Sequence, residues 1–371
     1  LTIAITLTMA CTLVVLPALL TRPSRPAAIL RLPDLRAPGL RAPRLGRLLT
    51  LFAGIGLLAY IASWTDLTDV WNRLLDLGAW GALAVCAVYF TAFLVDTASW
   101  QLMLPSVRLD APWLYRLWKV RMVGEAFNIV TPLATMGGEP VKAVLLKKHH
   151  GIGYHEAIAS LVLTKTTNLI ALAFFLGAGL VFMLTSGSLP ASYKLGGGIG
   201  LLVFTASIIL FFLVQRLKVS TRALSWIFRK RFAESLKGLR HHFHDIEERL
   251  AQFYTDHSTR FAAALFLAFF NWVLGAVELY YTMLFLGHPI SITDAWIIEA
   301  FAQLVRMGAF FIPASIGAQE GAFMLVVAAL TGSPELGLAA AMVRRFREIT
   351  WILWGFALGW YFSFKPSLRE E

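Results

Sequence analysis

Charge is scarce in this chain, and so is cysteine. Only 15% of its 371 residues are charged, too few to cover a water-soluble protein of this length, while 58% are hydrophobic and the mean hydropathy is +0.67. The two cysteines, Cys11 and Cys86, both fall inside apolar runs, which gives no disulfide framework, metal site or redox compartment. No basic stretch precedes the opening run "LTIAITLTMACTLVVLPALL", so residues 1–20 do not read as a secretory leader. Acid is the rarer sign, 22 residues against 33 Lys and Arg for a net charge of +11. The basic residues sit in short segments between apolar runs, the distribution that orients membrane proteins and favours anionic headgroups rather than nucleic acid.

What is present in abundance is unbroken apolar sequence. Crossing a hydrocarbon core of about 30 Å takes roughly 20 helical residues, and runs of about that length recur, with none of the alternating ten-residue pattern of a membrane barrel. The chain reads as an all-α polytopic membrane protein. Spanning helices are expected at 1–20, 48–64, 79–101, 156–186, 198–215, 260–286 and 337–364. Residues 21–47, with seven arginines and five prolines, form a basic cytoplasmic linker that cannot be helical throughout. Residues between 64 and 79, with Asp66, Asp69 and Asp76 against Arg73, are expected as a loop on the opposite side. Segment 216–259 carries nine Lys/Arg, five Asp/Glu and four histidines, and its heptad-like "LKGLRHHFHDIEERLAQF" suggests an amphipathic cytoplasmic insert.

Two stretches are too broken for clean spans, 117–148 and 294–331. The first contains "PLATMGGEPVK" and the second "PASIGAQE". In each, a proline (Pro132, Pro313) is followed by glycine (Gly137 and Gly138; Gly317) and by glutamate seven positions on (Glu139, Glu320), an offset of 181 residues. Within one residue the same offset carries Asp96 onto Glu278 and Lys165 onto Arg345. If the basic segments share the cytoplasmic side, both broken stretches must return to the face they entered from. The chain then has two halves, 48–186 and 198–364, each with three spanning helices and one re-entrant hairpin. Three crossings is odd, so the second half is inverted. Pro132 ends or bends the incoming arm, the two glycines supply the turn and close approach, and Pro140 suits the first turn of the outgoing helix. Irregular backbone at membrane depth is tolerated only where it lines a cavity, and the helix start there presents unpaired N–H groups to it.

At these residues the chain resembles a known family, the membrane domain of lysylphosphatidylglycerol synthase/flippases and its stand-alone relatives. "GEAFNIVTPLATMGGEPVKAVLLKKHHG" and "FIPASIGAQEGAFMLVVAALTG" are similar to its two signature stretches, and "GAQEGA" followed by "MVRRFRE" resembles relatives found beside hopanoid-biosynthesis genes. The resemblance spans roughly 48–364. It implies a multi-pass domain of the bacterial inner membrane, with a cytoplasmic C-terminus, that moves or holds an amphiphilic lipid. Synthases of the family carry a large cytosolic transferase domain after the last helix; seven residues follow position 364 here, so aminoacyl transfer is expected to be absent. Residues 1–20 resemble the last helix of an RND-type lipid exporter, or form a lone extra transmembrane helix.

Ionisable groups inside spans cost about 2.5 kcal/mol or more each at the helix centre and by default face a cavity or a partner. Lys165 either binds an acidic headgroup, with Arg345 as its counterpart, or pairs with a carboxylate such as Asp96, Glu139 or Glu320. Arg121 with Glu125 and Arg344 with Glu348 are spaced to pair along their own helices. Arg306 has no acid within one turn, and its planar fork suits phosphate. Glu139 and Glu320 are expected to cap and pair rather than carry a coupling proton. "HEAIA" and "HHFHD" lack a closed ligand set, so no metal or cofactor is expected. The leading reading is a lipid translocase holding an anionic or polyisoprenoid-type headgroup at Lys165, Arg306, Arg345 and Arg121 beside the hairpin helix starts. Asp96, Glu125 and Glu278 are its buried carboxylates. The alternative is a non-transporting scaffold that presents lipid to an RND-type exporter or a lipid-modifying enzyme. No oligomeric state follows from the sequence.

Overall fold

The computed structural model describes residues 67–130, 137–187, 191–192, 194–200, 202–203, 206, 256–309, 312 and 315–364. The expected segments 1–20, 21–47 and 48–64, nearly all of the insert 216–259, most of the span 198–215, and Pro132 and Pro313 lie outside them. Each regular element among the described residues is helical. The first four helices are α1 (Leu67–Leu102), α2 (Ala111–Val130), α3 (Gly138–His150) and α4 (Tyr154–Thr185). The next four are α5 (Ser258–Phe285), α6 (Ile292–Gly308), α7 (Ala318–Thr331) and α8 (Pro334–Phe364). Their lengths run 36, 20, 13 and 32 residues and then 28, 17, 14 and 31.

The loop expected ahead of position 79 is instead the first part of α1, which kinks at Gly78 (φ 60°). Two local features make it helical. Arg73 donates to Asp69 four residues earlier at 2.7 Å, and Leu67, Val70, Leu74 and Leu77 recur at helical spacing, of which Val70 is buried with Leu74 and Leu77 packed around it.

α1 makes its longest contact with α5. On one side α4 packs on α5 and α6; on the other α8 packs on α1 and α2, and the short helices α3 and α7 are held between α2 and α4 and between α6 and α8. The burial pattern reverses that of a protein folded in water. Trp80, Phe174, Phe266, Leu325, Leu353 and Trp360 are exposed, while Asp96, Glu139, Lys142, Glu278, Glu299, Arg344 and Arg347 are buried. Three helices, Thr68–Leu102, Tyr154–Thr185 and Ser258–Phe285, are long and apolar enough to cross a membrane. α8 has the length at 31 residues, but Arg344, Arg345, Arg347 and Glu348 interrupt its middle.

Candidate functional site

The buried charges are paired, and most of the ion pairs run between helices. In the group around α3, Glu139 is the centre. Its Oε1 lies 3.2 Å from the Nζ of Lys142 and 3.2 Å from the Nζ of Lys165, and accepts from Asn128 Nδ2 at 3.4 Å. Lys142 also donates to Glu125 at 2.7 Å. Lys165 therefore pairs with Glu139, while its side chain keeps 35% of its surface exposed. Glu125 is partly exposed, at 29% of its side chain, rather than buried as the sequence reading has it.

Glu139 pairs but does not cap α3. Asn128, buried near the end of α2, accepts from the Gly138 backbone N–H at 2.7 Å, leaving the Glu139 carboxylate for the lysines. The double glycine works through close approach rather than a left-handed turn. Gly137 has φ −64°, and a Cβ on Gly138 would sit 1.8 Å from the carbonyl oxygen of Gly124. Only a glycine lets α3 lie on the α2 backbone there.

Around α7 the centre is Glu320. It accepts from the Gly317 N–H at 2.7 Å and from Arg345 Nε at 2.5 Å, so it both caps and pairs. Gly317 sits at φ 80° and Ser315, just before it, at φ 50°; this is the sharp turn that aims α7. Arg345 also donates to Glu348 at 2.8 Å. Neighbouring Arg344 grips Glu299 through two nitrogens at 2.5 and 3.3 Å, with Gln303 donating to the same carboxylate at 2.7 Å.

Two further pairs link helices. Arg121 bonds Asp96, which also accepts from Asn168 at 3.1 Å, and Arg347 bonds Glu278. Both guanidiniums lie against aromatic faces, Arg121 4.9 Å from the Phe93 ring centroid and Arg347 3.7 Å from that of Tyr89. The expected along-helix pairs Arg121–Glu125 and Arg344–Glu348 therefore give way to pairs between helices: each arginine faces a neighbouring helix, where a carboxylate is otherwise uncompensated. Arg306 has no carboxylate in ion-pair contact among the described residues, but lies close enough to Glu348 for its charge to be felt there.

Lys142, Asn128, Asn168, Glu299 and Arg347 were not singled out in the sequence. Lys142 carried a legible signal, since it stands three residues after Glu139 and so on the same helix face. Asn128 and Glu299 carried none, because their roles come from which helix packs opposite.

The family described as the lysylphosphatidylglycerol synthase TM region matches residues 47–355. The chain belongs to this family. Among its relatives is a UPF0104 membrane protein of Methanothermobacter thermautotrophicus, 23% identical over 302 residues, covering 78% of this chain and 87% of that protein. Another is the UPF0104 membrane protein PH1989 of Pyrococcus horikoshii, 22% identical over 311 residues, covering 80% of this chain and 91% of the relative. No solved structure matches the chain significantly. The lysylphosphatidylglycerol synthase TM region thus covers both glutamate-centred clusters and the helices that supply their cations.

Proposed function

We propose that this member of the family is a lipid translocase of the bacterial cytoplasmic membrane. An anionic or polyisoprenoid-type headgroup passes between two inverted repeats, held by Lys165, Arg306, Arg345 and Arg121 beside the starts of α3 and α7. The observation that carries this reading is the recurrence of one ion pair. Glu139 with Lys165 and Glu320 with Arg345 stand at the same places in two halves displaced by 180 to 181 residues.

Helix boundaries support the duplication, because the starts of α2, α3 and α4 at 111, 138 and 154 recur at 292, 318 and 334, offsets of 181, 180 and 180. Length supports the re-entrant arms. At 1.5 Å per residue, α3 and α7 with 13 and 14 residues reach about 20 Å, short of a 30 Å core. Ionisable groups inside membrane helices carry a cost of several kcal/mol and by default face a partner or line a path. Alternating access would rock one half against the other, with the C-terminus in the cytoplasm.

Proteoliposomes separate transport from scaffolding. Arg306→Gln is expected to slow headgroup translocation roughly tenfold or more, whereas removing residues 216–255 leaves most of the rate. A scaffold that works through the basic insert requires the reverse, and that result would overturn the proposal.

A further inference from the structure

The two glutamate-centred clusters are built alike but are not satisfied alike. The offset that carries Glu139 onto Glu320 also carries Glu125 onto Arg306, Lys142 onto Phe323, Asn128 onto Ala309 and Gly138 onto Gln319. Each change matters for what could enter. Around α3, the ammonium groups of Lys142 and Lys165 both reach carboxylates, and on their shared partner Glu139 the oxygen left buried without a hydrogen bond among the described residues is an acceptor, Oε2. A phosphate brought to that cluster meets cations already engaged and a carboxylate oxygen that repels it.

Around α7 the balance differs. The lysine position is the phenyl ring of Phe323, and the acid position is the cation Arg306. Arg345 spends Nε on Glu320 and one terminal nitrogen on Glu348, and its other terminal nitrogen is buried with no hydrogen-bond partner among the described residues. Gln319, in the first turn of α7 directly before Glu320, is 1% exposed, and among the described residues neither its amide nitrogen nor its amide oxygen has a hydrogen bond. Leaving a buried amide unpaired is destabilising, and a leucine of similar size would avoid that cost. The helix start adds its own unpaired N–H groups and a partial positive charge.

Resting on the lipid reading above, we propose that the start of α7 is the anion site of the protein. There Arg306, the second terminal nitrogen of Arg345 and the Gln319 amide bind the phosphate ester of a lipid headgroup, while in the α3 cluster the buried Lys142 is a structural clasp between Glu125 and Glu139 and only the part-exposed Lys165 meets a passing headgroup. Gln319 sets the specificity: its N–H donates to a phosphate oxygen, and its carbonyl accepts from a hydroxyl on the headgroup. Glu320 holds Arg345 in place and caps the turn.

The test uses the full chain in a non-ionic detergent, with dihexanoyl phosphatidylglycerol and inorganic phosphate as separate probes, read by calorimetric binding and thermal unfolding. The short-chain lipid is expected to bind about a hundredfold more tightly than inorganic phosphate. Gln319→Leu and Arg306→Gln should each weaken the lipid roughly tenfold. Without lipid, Gln319→Leu should melt about 2 °C higher than the native chain, because it removes an unsatisfied buried amide; a purely structural glutamine requires it to melt lower. Lys142→Met should lower the melting point and leave lipid affinity of the folded protein unchanged. Native affinity in Gln319→Leu, a lower melting point in that variant, or equal binding of inorganic phosphate would each overturn the assignment. Lipid binding without translocation in proteoliposomes would remove the transport reading and leave this site standing.

Discussion

At the scale of single residues, the protein's defining feature is that its arginines and lysines reach across helix interfaces. The segment "MVRRFRE" on α8 shows why. Successive positions on a helix turn by about 100°, so Arg344, Arg345 and Arg347 fan out and meet Glu299 on α6, Glu320 on α7 and Glu278 on α5. One short charged run thus fastens α8 to three neighbours. A buried ion pair is worth little against a well-packed apolar pair, but removing one partner strands the other charge. Arg347→Met should accordingly destabilise the bundle by about 3–5 kcal/mol, while the double substitution Arg347→Met with Glu278→Leu recovers most of that loss. Thermal unfolding in detergent measures both, and a double variant no better than the single one would show that the pair does more than neutralise. The presence of Asp96, Glu139, Lys165, Glu278, Glu320 and Arg345 as anomalous polar residues in apolar sequence was legible in advance. Their partners were not, because a spacing of four residues offers Arg121 a local acid and only the packed structure shows that Asp96 on α1 outcompetes it.

At the scale of elements, glycine decides how close helices come. α3 lies on α2 where Gly138 meets the backbone of Gly124, and α8 lies on α2 where a Cβ on Gly355 would stand 2.5 Å from the carbonyl oxygen of Met122. Gly138→Val should push α3 off Asn128 and loosen the Glu139–Lys142–Lys165 group, costing about 1–3 kcal/mol or more. The expected sign is a lower melting point and a smaller monodisperse fraction on size exclusion. The double glycine and Pro140 announced this break in the sequence. The α1 start did not announce itself: three aspartates drew the reading toward a loop, while the apolar spacing of Leu67, Val70, Leu74 and Leu77 already described a helical face. The long helices α4 and α5 were legible to within two residues, because hydropathy alone sets membrane spans. α8 starts three residues earlier than its hydropathy suggested, at Pro334, since proline is well placed at a helix's first turn.

At the scale of the whole molecule, the described residues put apolar side chains outside and ion pairs inside, and helices of 36, 20, 13 and 32 residues precede helices of 28, 17, 14 and 31. The family could be read from its two signature stretches, and the matched region 47–355 falls close to the 48–364 expected from them. The succession of a long, a medium, a short and a long helix, twice over, gives the proposed repeat its physical content: two units whose short helices bring Glu139 and Glu320 to the interior from separate parts of the chain. The claim on which the account rests is that this interior moves lipid headgroups across the bilayer. The most direct measurement is headgroup accessibility in proteoliposomes that hold the purified chain and a fluorescent anionic phospholipid quenched from outside. The account predicts that the quenchable fraction rises from about half toward completion well ahead of empty liposomes. Quenching that stays at the level of empty liposomes, across several bacterial phospholipids, would contradict it.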